Sequence, residues 1–339
     1  MASAEQIAAN PEWLPHRLDS RRRAVQFVRF TRTAFEDRTF LADRRGEAEA
    51  WLPIDTVLAM RAEALPPRFI FHSGFCGSTL LLRALCGSQR ALGLNEPGIL
   101  NDLAREGDPD PALLAAITGL LFRPHPGREA LIVKPSNYPG RLIPMILRHS
   151  PDTRAVIITN RLEAYLQSVA RKGLLGRQWG RQALLVAATY AGDIAPLKGQ
   201  LNALTDLQVA ALGWLLMQNW FDRVSVPEVR SRLAVLHAES LTGNSAVTLE
   251  AASAHLRLDL PPADIARIVA GPAFAEDAKT GADYAMLRAA DAVRSETPVI
   301  TEEIAEVAQW IAQLAAASGL VVPVPETLGQ RDLAPLAVG

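Results

Sequence analysis

The residues best suited to chemistry lie in one short stretch, HSGFCGST at positions 72–79. An apolar strand, RFIFH, precedes it and a leucine-rich helix follows it. Backbone N–H groups at the start of a helix have no partner inside the helix, and the helix dipole adds about half a positive charge there. Gly74 and Gly77 would let the backbone curl around an anion. Ser78 and Thr79 would add hydroxyl donors, so the stretch predicts a phosphate-binding loop.

The loop departs from the nucleotide triphosphatase pattern G-x-x-x-x-G-K-[ST] in two places. Gly77 and Thr79 match the final glycine and the hydroxyl residue. Ser78 stands in the lysine position, and His72 stands in the position of the first glycine. Without that lysine the loop cannot neutralise a triphosphate bound with magnesium well, and it therefore favours a less charged ligand. The alternative is a tight strand-to-helix connection that binds nothing. In either case we expect His72 to be a strand-end residue hydrogen-bonded to backbone and not an acid or base.

Two charged residues are the candidates for catalysis. Lys134 ends the apolar strand ALIVK, and ligands of open parallel sheets collect at the carboxyl ends of the strands. The chain has only four lysines, at positions 134, 172, 198 and 279, so a lysine in this place favours a charge-stabilising role. Glu96 precedes Pro97, which holds its backbone extended, and is the candidate general base. The alternatives are a strand-end lysine whose ammonium reaches solvent and a helix-capping or surface carboxylate.

Composition limits the class of protein. The chain has 339 residues, of which 49% are apolar, enough for a large core. A formal net charge of −1 gives no support for a nucleic-acid partner. Two cysteines predict a reducing compartment, and with no zinc-like spacing they predict no metal site. No apolar run reaches the roughly 18 residues of a membrane span, so we expect a cytoplasmic protein of bacterial type.

Four apolar strands alternate with helical segments in the middle of the chain. They are RFIFH (68–72), ALIVK (130–134), TRAVIITN (153–160) and SRLAVLHAES (231–240). Continuous apolar strands separated by helices predict a three-layer α/β fold with a mostly parallel sheet. We expect tryptophans 179, 214, 220 and 310 to belong to the core.

The chain divides into three parts by pattern. Residues 1–67 predict an N-terminal extension in which a strand, AVQFVRF, pairs with TFLADRR. Residues 68–320 predict the α/β domain with a helical C-terminal part. Residues 321–339 predict a Pro-rich, extended tail.

Five segments in order resemble the P-loop sulfotransferases, in particular bacterial members and those that sulfate protein tyrosines or heparan chains. The segments are GFCGSTLLLRAL, LGLNEP, LIVKPSN, SPDTRAVIITNRLEAYLQSVARKG and LAVLHAESL, within residues 68–260. The first is similar to the family's 5′-phosphosulfate loop and the fourth to its 3′-phosphate segment. The basic residue that usually precedes the loop's S-G-T-T falls on Phe75, and the usual arginine of the 3′-phosphate segment falls on Asn160.

The resemblance implies a transferase that moves a sulfuryl group from 3′-phosphoadenosine 5′-phosphosulfate to an acceptor hydroxyl, without a metal. The 5′ end would lie on the loop formed by Gly74, Phe75, Cys76, Gly77, Ser78 and Thr79. Arg161 and Ser168 would hold the 3′-phosphate, Lys134 would stabilise charge and Glu96 would be the base. Lys279 would lie in a late loop over the nucleotide. The acceptor would be a small molecule, a peptide or a glycan.

Two other functions stay open at this point. A small-molecule kinase or other P-loop phosphotransferase would bind ATP with magnesium, which the missing loop lysine disfavours. A catalytically degenerate nucleotide-binding or interaction protein is favoured by Phe75 and Asn160, which replace the usual basic residues.

Overall fold

Two β-sheets organise the chain. The computed structural model describes residues 2–36, 40–192, 201–276 and 297–329. The first sheet in these ranges is antiparallel, with strands β1 (Trp13–Asp19), β2 (Ala24–Arg29) and β3 (Ala48–Pro53) in that order. The second is parallel and contains β4 (Arg68–His72), β5 (Ala91–Asn95), β6 (Ala130–Lys134), β7 (Arg154–Thr159) and β8 (Leu233–His237).

Helices surround both sheets. Those that precede β7 are α1 (Ala4–Ala9), α2 (Arg32–Glu36), α3 (Ile54–Ala59), α4 (Ser78–Cys86), α5 (Gly98–Arg105), α6 (Pro111–Leu121) and α7 (Ile143–His149). Those that follow β7 are α8 (Leu162–Arg171), α9 (Gly173–Ala187), α10 (Asp206–Val224), α11 (Ala238–Gly243), α12 (Ser245–His255), α13 (Pro262–Val269), α14 (Pro272–Ala275) and α15 (Pro298–Ala317).

The parallel sheet is buried on both faces. Successive side chains of a strand point to opposite faces, so Phe69 and Phe71 of β4 enter one core and Ile70 enters another. The first core includes apolar residues of α5, α6, α8, α10 and α15, and the second includes those of α4, α12 and α13. The predicted three-layer α/β fold with a parallel sheet is confirmed.

The strand order places the loop after β4 at the point where the direction of the chain across the sheet reverses. The strands lie side by side as β5-β6-β4-β7-β8, so the first strand of this sheet is the central one. From β4 the chain goes to one edge and returns through β6, and it then crosses to β7 on the other side. In open α/β sheets, ligands bind outside the carboxyl ends of the strands where the order reverses in this way. The loop after β4, at residues 73–77, lies at that position.

A buried arginine is one of the contacts that join the N-terminal segment to the rest of the protein, beside the Arg17–Asp102 ion pair and a shared apolar core. The Arg123 guanidinium lies just after α6 and donates to the carbonyl oxygens of Ala8 and Asn10 at 3.2 and 3.1 Å, and to those of Ile7 and Trp13. Burial lowers the pKa of Arg123 to about 10. Whether residues 1–67 form a unit of their own stays a prediction.

We expect Arg123→Met to lower the free energy of unfolding by about 2 kcal/mol, because the carbonyl oxygens within residues 7–13 lose their buried donor. Urea denaturation measures the loss. Arg22→Met, at an exposed turn, is the control and should change stability by less than about 0.5 kcal/mol. Equal stability of the two variants would show that this guanidinium does not hold the two sheets together.

Several predicted elements are confirmed and others are wrong. All four predicted apolar strands are present, as is the strand over 24–30. The pairing of that strand with TFLADRR is wrong, since Leu41–Asp43 form a 3₁₀ turn and β2 pairs with β1 and β3. Strand β5 was not predicted. The described part of the tail lies along β8, where Thr327 and Leu328 donate to the carbonyl oxygen of Val235.

Candidate active site

The loop between β4 and α4 has an unusual backbone. Gly74, Phe75 and Gly77 have φ angles of 89°, 50° and 77°, all in the left-handed region. Gly77 is the residue before the first turn of α4, and its left-handed conformation is followed directly by right-handed helix. Such an alternation points successive N–H groups toward one side and forms anion-binding concavities. The two glycines that the sequence singled out therefore lie where the backbone requires them.

Several donors of the loop make no bond within the protein. The amides of Phe75, Cys76, Gly77 and Thr79 have no hydrogen-bond acceptor in the described ranges. The Ser78 and Thr79 hydroxyls also have no partner there, although both residues are buried. One amide is taken, because Gly74 donates to the His72 ring. The loop therefore presents unbonded donors at a helix start, as an anion requires.

Hydrogen bonds of two buried residues, His72 and Cys76, hold the loop in place. His72 Nδ1 accepts from the Gly74 amide at 3.1 Å, so its proton lies on Nε2, which donates to the carbonyl oxygen of Pro135 at 3.0 Å. The predicted backbone-bonded role of His72 is confirmed. Cys76 Sγ donates to the carbonyl oxygen of Ile158 at 3.3 Å, and burial raises the pKa of this thiol. The cysteine is therefore a structural donor and not a reactive thiolate.

Asn160 has a role that the sequence did not reveal. Its Nδ2 donates to the carbonyl oxygen of Phe75 at 3.2 Å, and its Oδ1 accepts from Ser73 Oγ at 3.4 Å. Its own carbonyl oxygen accepts from the Trp214 indole at 3.1 Å. The residue in the position of the family's arginine thus holds the loop and is only 3% exposed. An arginine side chain could not make these contacts and also reach a ligand.

The two predicted catalytic residues form one ion pair. Lys134 Nζ donates to Glu96 Oε1 at 2.5 Å and to Asn95 Oδ1 at 3.3 Å, and it lies 5.6 Å from the centre of the Phe40 ring. The backbones are joined as well, since the Glu96 amide donates to the Lys134 carbonyl oxygen. The expected extended backbone at Glu96 is wrong, because its φ is 54°, in the left-handed region. The Lys134 side chain is 1% exposed and that of Glu96 is 20% exposed. Strand β6 lies next to β4, and the carbonyl oxygen of Pro135, the residue after Lys134, accepts from His72 Nε2 at the start of the loop, so the pair lies beside the loop.

The two predicted 3′-phosphate residues are not in contact with each other. Arg161 precedes α8, and its amide donates to Glu239 Oε1 at 3.1 Å. Its guanidinium has no partner among the described residues. Ser168 Oγ donates to the Ala164 carbonyl oxygen and accepts from Arg171 Nη2 at 2.8 Å. The Glu239 carboxylate thus lies at the start of α8, and its Oε2 atom is buried with no hydrogen-bond partner among the described residues.

An aromatic cluster covers one side of the loop. The Phe75 and Trp179 rings are edge to face at 4.5 Å, and the Tyr165 ring lies 6.1 Å from each. A Cβ atom added to Gly74 would lie 2.6 Å from Trp179 Cζ2, so the indole lies directly on this glycine. The predicted core position is confirmed for Trp214, which is 1% exposed, while Trp179, Trp220 and Trp310 are partly buried and pack against the same core.

Three further predictions concern residues or properties outside this cluster. Lys279 lies outside the described residues. Within the described ranges no group of His, Cys, Asp and Glu could hold a metal ion. No helix in the same ranges combines the length and the apolar composition needed to cross a membrane.

Two solved structures are similar to this chain. A sulfotransferase from Alicyclobacillus acidocaldarius shares 14% identity over 76% of this chain and 98% of its own, with a TM-score of 0.39. The sulfotransferase domain from the curacin biosynthetic pathway shares 14% identity over 77% of this chain and 100% of its own, with a TM-score of 0.38. No family model matches the chain, and no curated protein matches it. At TM-scores this low the two likenesses decide nothing, and the fold rests on the chain's own sheet and loop.

Proposed function

We propose that this protein is a sulfotransferase-like enzyme that binds 3′-phosphoadenosine 5′-phosphosulfate at the loop 73–79. The observation that supports the proposal is the set of unbonded loop donors at the point where the strand order reverses. The buried Lys134–Glu96 pair lies at the carboxyl ends of the adjoining strands. A phosphate with a bound sulfuryl group is an anion that carries less charge than a triphosphate, which fits a loop without a lysine.

In the proposed reaction the acceptor hydroxyl attacks the sulfur. Its oxygen forms the new S–O bond while the bond from sulfur to the phosphate oxygen breaks, and Glu96 takes the hydroxyl proton. Glu96 Oε2 makes no hydrogen bond within the described residues, so this oxygen is available to the hydroxyl while Oε1 stays on Lys134. The Lys134 ammonium and the loop amides stabilise the charge that develops. The products are a sulfated acceptor, adenosine 3′,5′-bisphosphate and a proton.

One observation favours a second function, binding without catalysis. Phe75 occupies the position of the family's basic residue, and Trp179 packs against it. The leaving phosphate then lacks one cationic contact, and within the described part of the chain the loop amides and Lys134 remain to neutralise it. A protein of this kind would bind the nucleotide but transfer sulfate slowly or not at all. A kinase is disfavoured because Ser78 stands where a triphosphate-binding lysine would be needed.

Isothermal titration calorimetry tests the proposal. Adenosine 3′,5′-bisphosphate should bind without metal, and ATP with magnesium should bind more weakly or not at all. Tighter binding of ATP with magnesium would replace the proposal by a phosphotransferase. Binding of the bisphosphate without sulfate transfer to any acceptor class would support the non-catalytic function. No detectable binding of either nucleotide would contradict nucleotide binding altogether.

A separate prediction tests the 3′-phosphate position. Glu239→Gln should tighten the binding of adenosine 3′,5′-bisphosphate about two- to fivefold, because it removes a negative charge at the start of α8 and keeps an oxygen for the Arg161 amide. Binding of adenosine 5′-monophosphate should not change. A similar gain for both nucleotides would place the 3′-phosphate away from this helix end.

A further inference from the structure

We infer that Trp179 is a positioning residue that holds the anion-binding loop in its left-handed conformation. The inference rests on the proposed function, since it concerns how the same loop is kept ready for its ligand. It assigns a role to a residue on α9, about a hundred positions from the loop in the sequence.

The loop needs support at Phe75. This residue has a φ of 50°, in a region where the Cβ atom of a non-glycine residue crowds the backbone. Residues in such conformations persist only where their surroundings determine them strongly. The contacts of Phe75 include the hydrogen bond from Asn160 to its carbonyl oxygen, the packing of its ring on Trp179 and Tyr165, and contact with the apolar core. Trp179 is the nearer of the two rings, so its removal takes away the closest ring contact that opposes relaxation of the residue.

Trp179 contacts two adjacent left-handed residues of the loop, Gly74 and Phe75. Its six-membered ring lies where a side chain at Gly74 would be, and the indole packs edge to face with the Phe75 ring. A larger residue at 74 is therefore excluded by Trp179 as well as by the φ angle of 89°. The indole thus acts on the loop through packing at two adjacent positions.

The helix that carries Trp179 is itself fixed. A Cβ atom at Gly180 would lie 2.6 Å from the Cβ of Ala210, so α9 and α10 approach each other closely at this point. A Cβ atom at Gly176 would overlap the Val169 carbonyl oxygen of α8. Contacts as close as these hold α9 on its two neighbours, and the position of the indole follows from the packing of three helices.

The indole acts by shape and not by hydrogen bonding. Trp214 and Trp220 each donate their indole N–H to a backbone carbonyl oxygen, at 3.1 and 3.0 Å. The Trp179 N–H has no partner within the described residues. Trp179→Phe should therefore preserve the function of the residue, whereas Trp179→Ala should lose it.

The test measures the dissociation constant of adenosine 3′,5′-bisphosphate by calorimetry for a set of variants. We expect Trp179→Ala to weaken binding at least about tenfold, and Trp179→Phe to stay within about threefold of the parent. Phe75→Gly is the second background, because glycine adopts a φ of 50° without strain. In that background Trp179→Ala should weaken binding by less than about threefold, since the strained residue that the indole holds is gone. Trp310→Ala, on α15, is the control for loss of a half-buried tryptophan and should leave the dissociation constant unchanged.

The dissociation constants separate a positioning role of Trp179 from a direct contact with the ligand and from a general role in the fold. Parent-like binding by Trp179→Ala would overturn the inference and leave the proposed function in place. A loss of the same size when Trp179→Ala is added to Phe75→Gly would also overturn it, because the indole would then act on the ligand directly or on the whole fold. A melting temperature for each variant separates those two causes. If the parent protein binds neither this nucleotide nor inorganic pyrophosphate, the proposed function fails and the inference fails with it.

Discussion

Glu96→Gln is expected to lower the free energy of unfolding by about 3 kcal/mol or more, and Lys134→Met by clearly less. The difference comes from what each substitution leaves behind. Removing the carboxylate leaves an ammonium that is 1% exposed without the anionic partner seen here, beside the Asn95 side-chain oxygen, the Phe40 ring and the new amide. Removing the ammonium leaves a carboxylate that is 20% exposed and can gain water. Urea denaturation of the two variants measures the difference.

The double variant Lys134→Met with Glu96→Gln provides the control. Because it leaves no uncompensated charge, its stability should be higher than the sum of the two single losses predicts. Additive losses, or a larger loss for Lys134→Met, would show that the ammonium is not buried as described.

The same two variants should lose sulfate transfer. At temperatures where each variant is folded, Lys134→Met should lower kcat about 10²–10³-fold and Glu96→Gln about 10²–10⁴-fold. Binding of adenosine 3′,5′-bisphosphate to Glu96→Gln should be nearly unchanged, since this carboxylate is assigned to the acceptor and not to the nucleotide. Transfer by Glu96→Gln at the parent rate would remove Glu96 as the base.

Thr79→Ala should weaken binding of adenosine 3′,5′-bisphosphate about 10- to 100-fold, because a hydrogen bond to a charged group contributes about 1.5–3 kcal/mol. The hydroxyl has no partner among the described residues, so its removal breaks no contact of the folded protein. Stability should therefore change little while affinity falls. Calorimetry and thermal denaturation of the same samples measure the two quantities.

Two matched variants make the Thr79 result specific. Thr79→Ser keeps the hydroxyl and should bind within about threefold of the parent. Thr118→Ala removes an equally buried threonine hydroxyl on α6 and should leave the affinity unchanged. Weakening by Thr118→Ala as well would point to a general loss of structure, and full affinity of Thr79→Ala would place the anion elsewhere.

The sequence predicted those parts of the fold that depend on local pattern. The buried strands show as short apolar runs, and Gly74 and Gly77 mark the loop because only glycine adopts such backbone angles easily. Strand β5 was missed, since its five residues include Gly93 and follow a turn closely, so it read as a connection. Its alternating Leu92 and Leu94 were the available signal.

The sequence identified Lys134 and Glu96 as the two catalytic candidates but did not predict their contact. Their pairing depends on β5 lying next to β6, and β5 was not predicted. The roles of Asn160 and Trp179 depend on contacts between segments far apart in the chain, which no local pattern reports. Glu239 at the start of α8 was missed for the same reason. Local pattern thus located the loop, and the tertiary fold determined what surrounds it.

A crystal structure with adenosine 3′,5′-bisphosphate tests the central claim most directly. We expect oxygens of its 5′-phosphate within about 2.7–3.2 Å of the Gly77 and Thr79 amides, with Trp179 still packed on Gly74. A nucleotide bound elsewhere, with these amides facing a side chain of the protein, would contradict the proposed site and the reaction built on it.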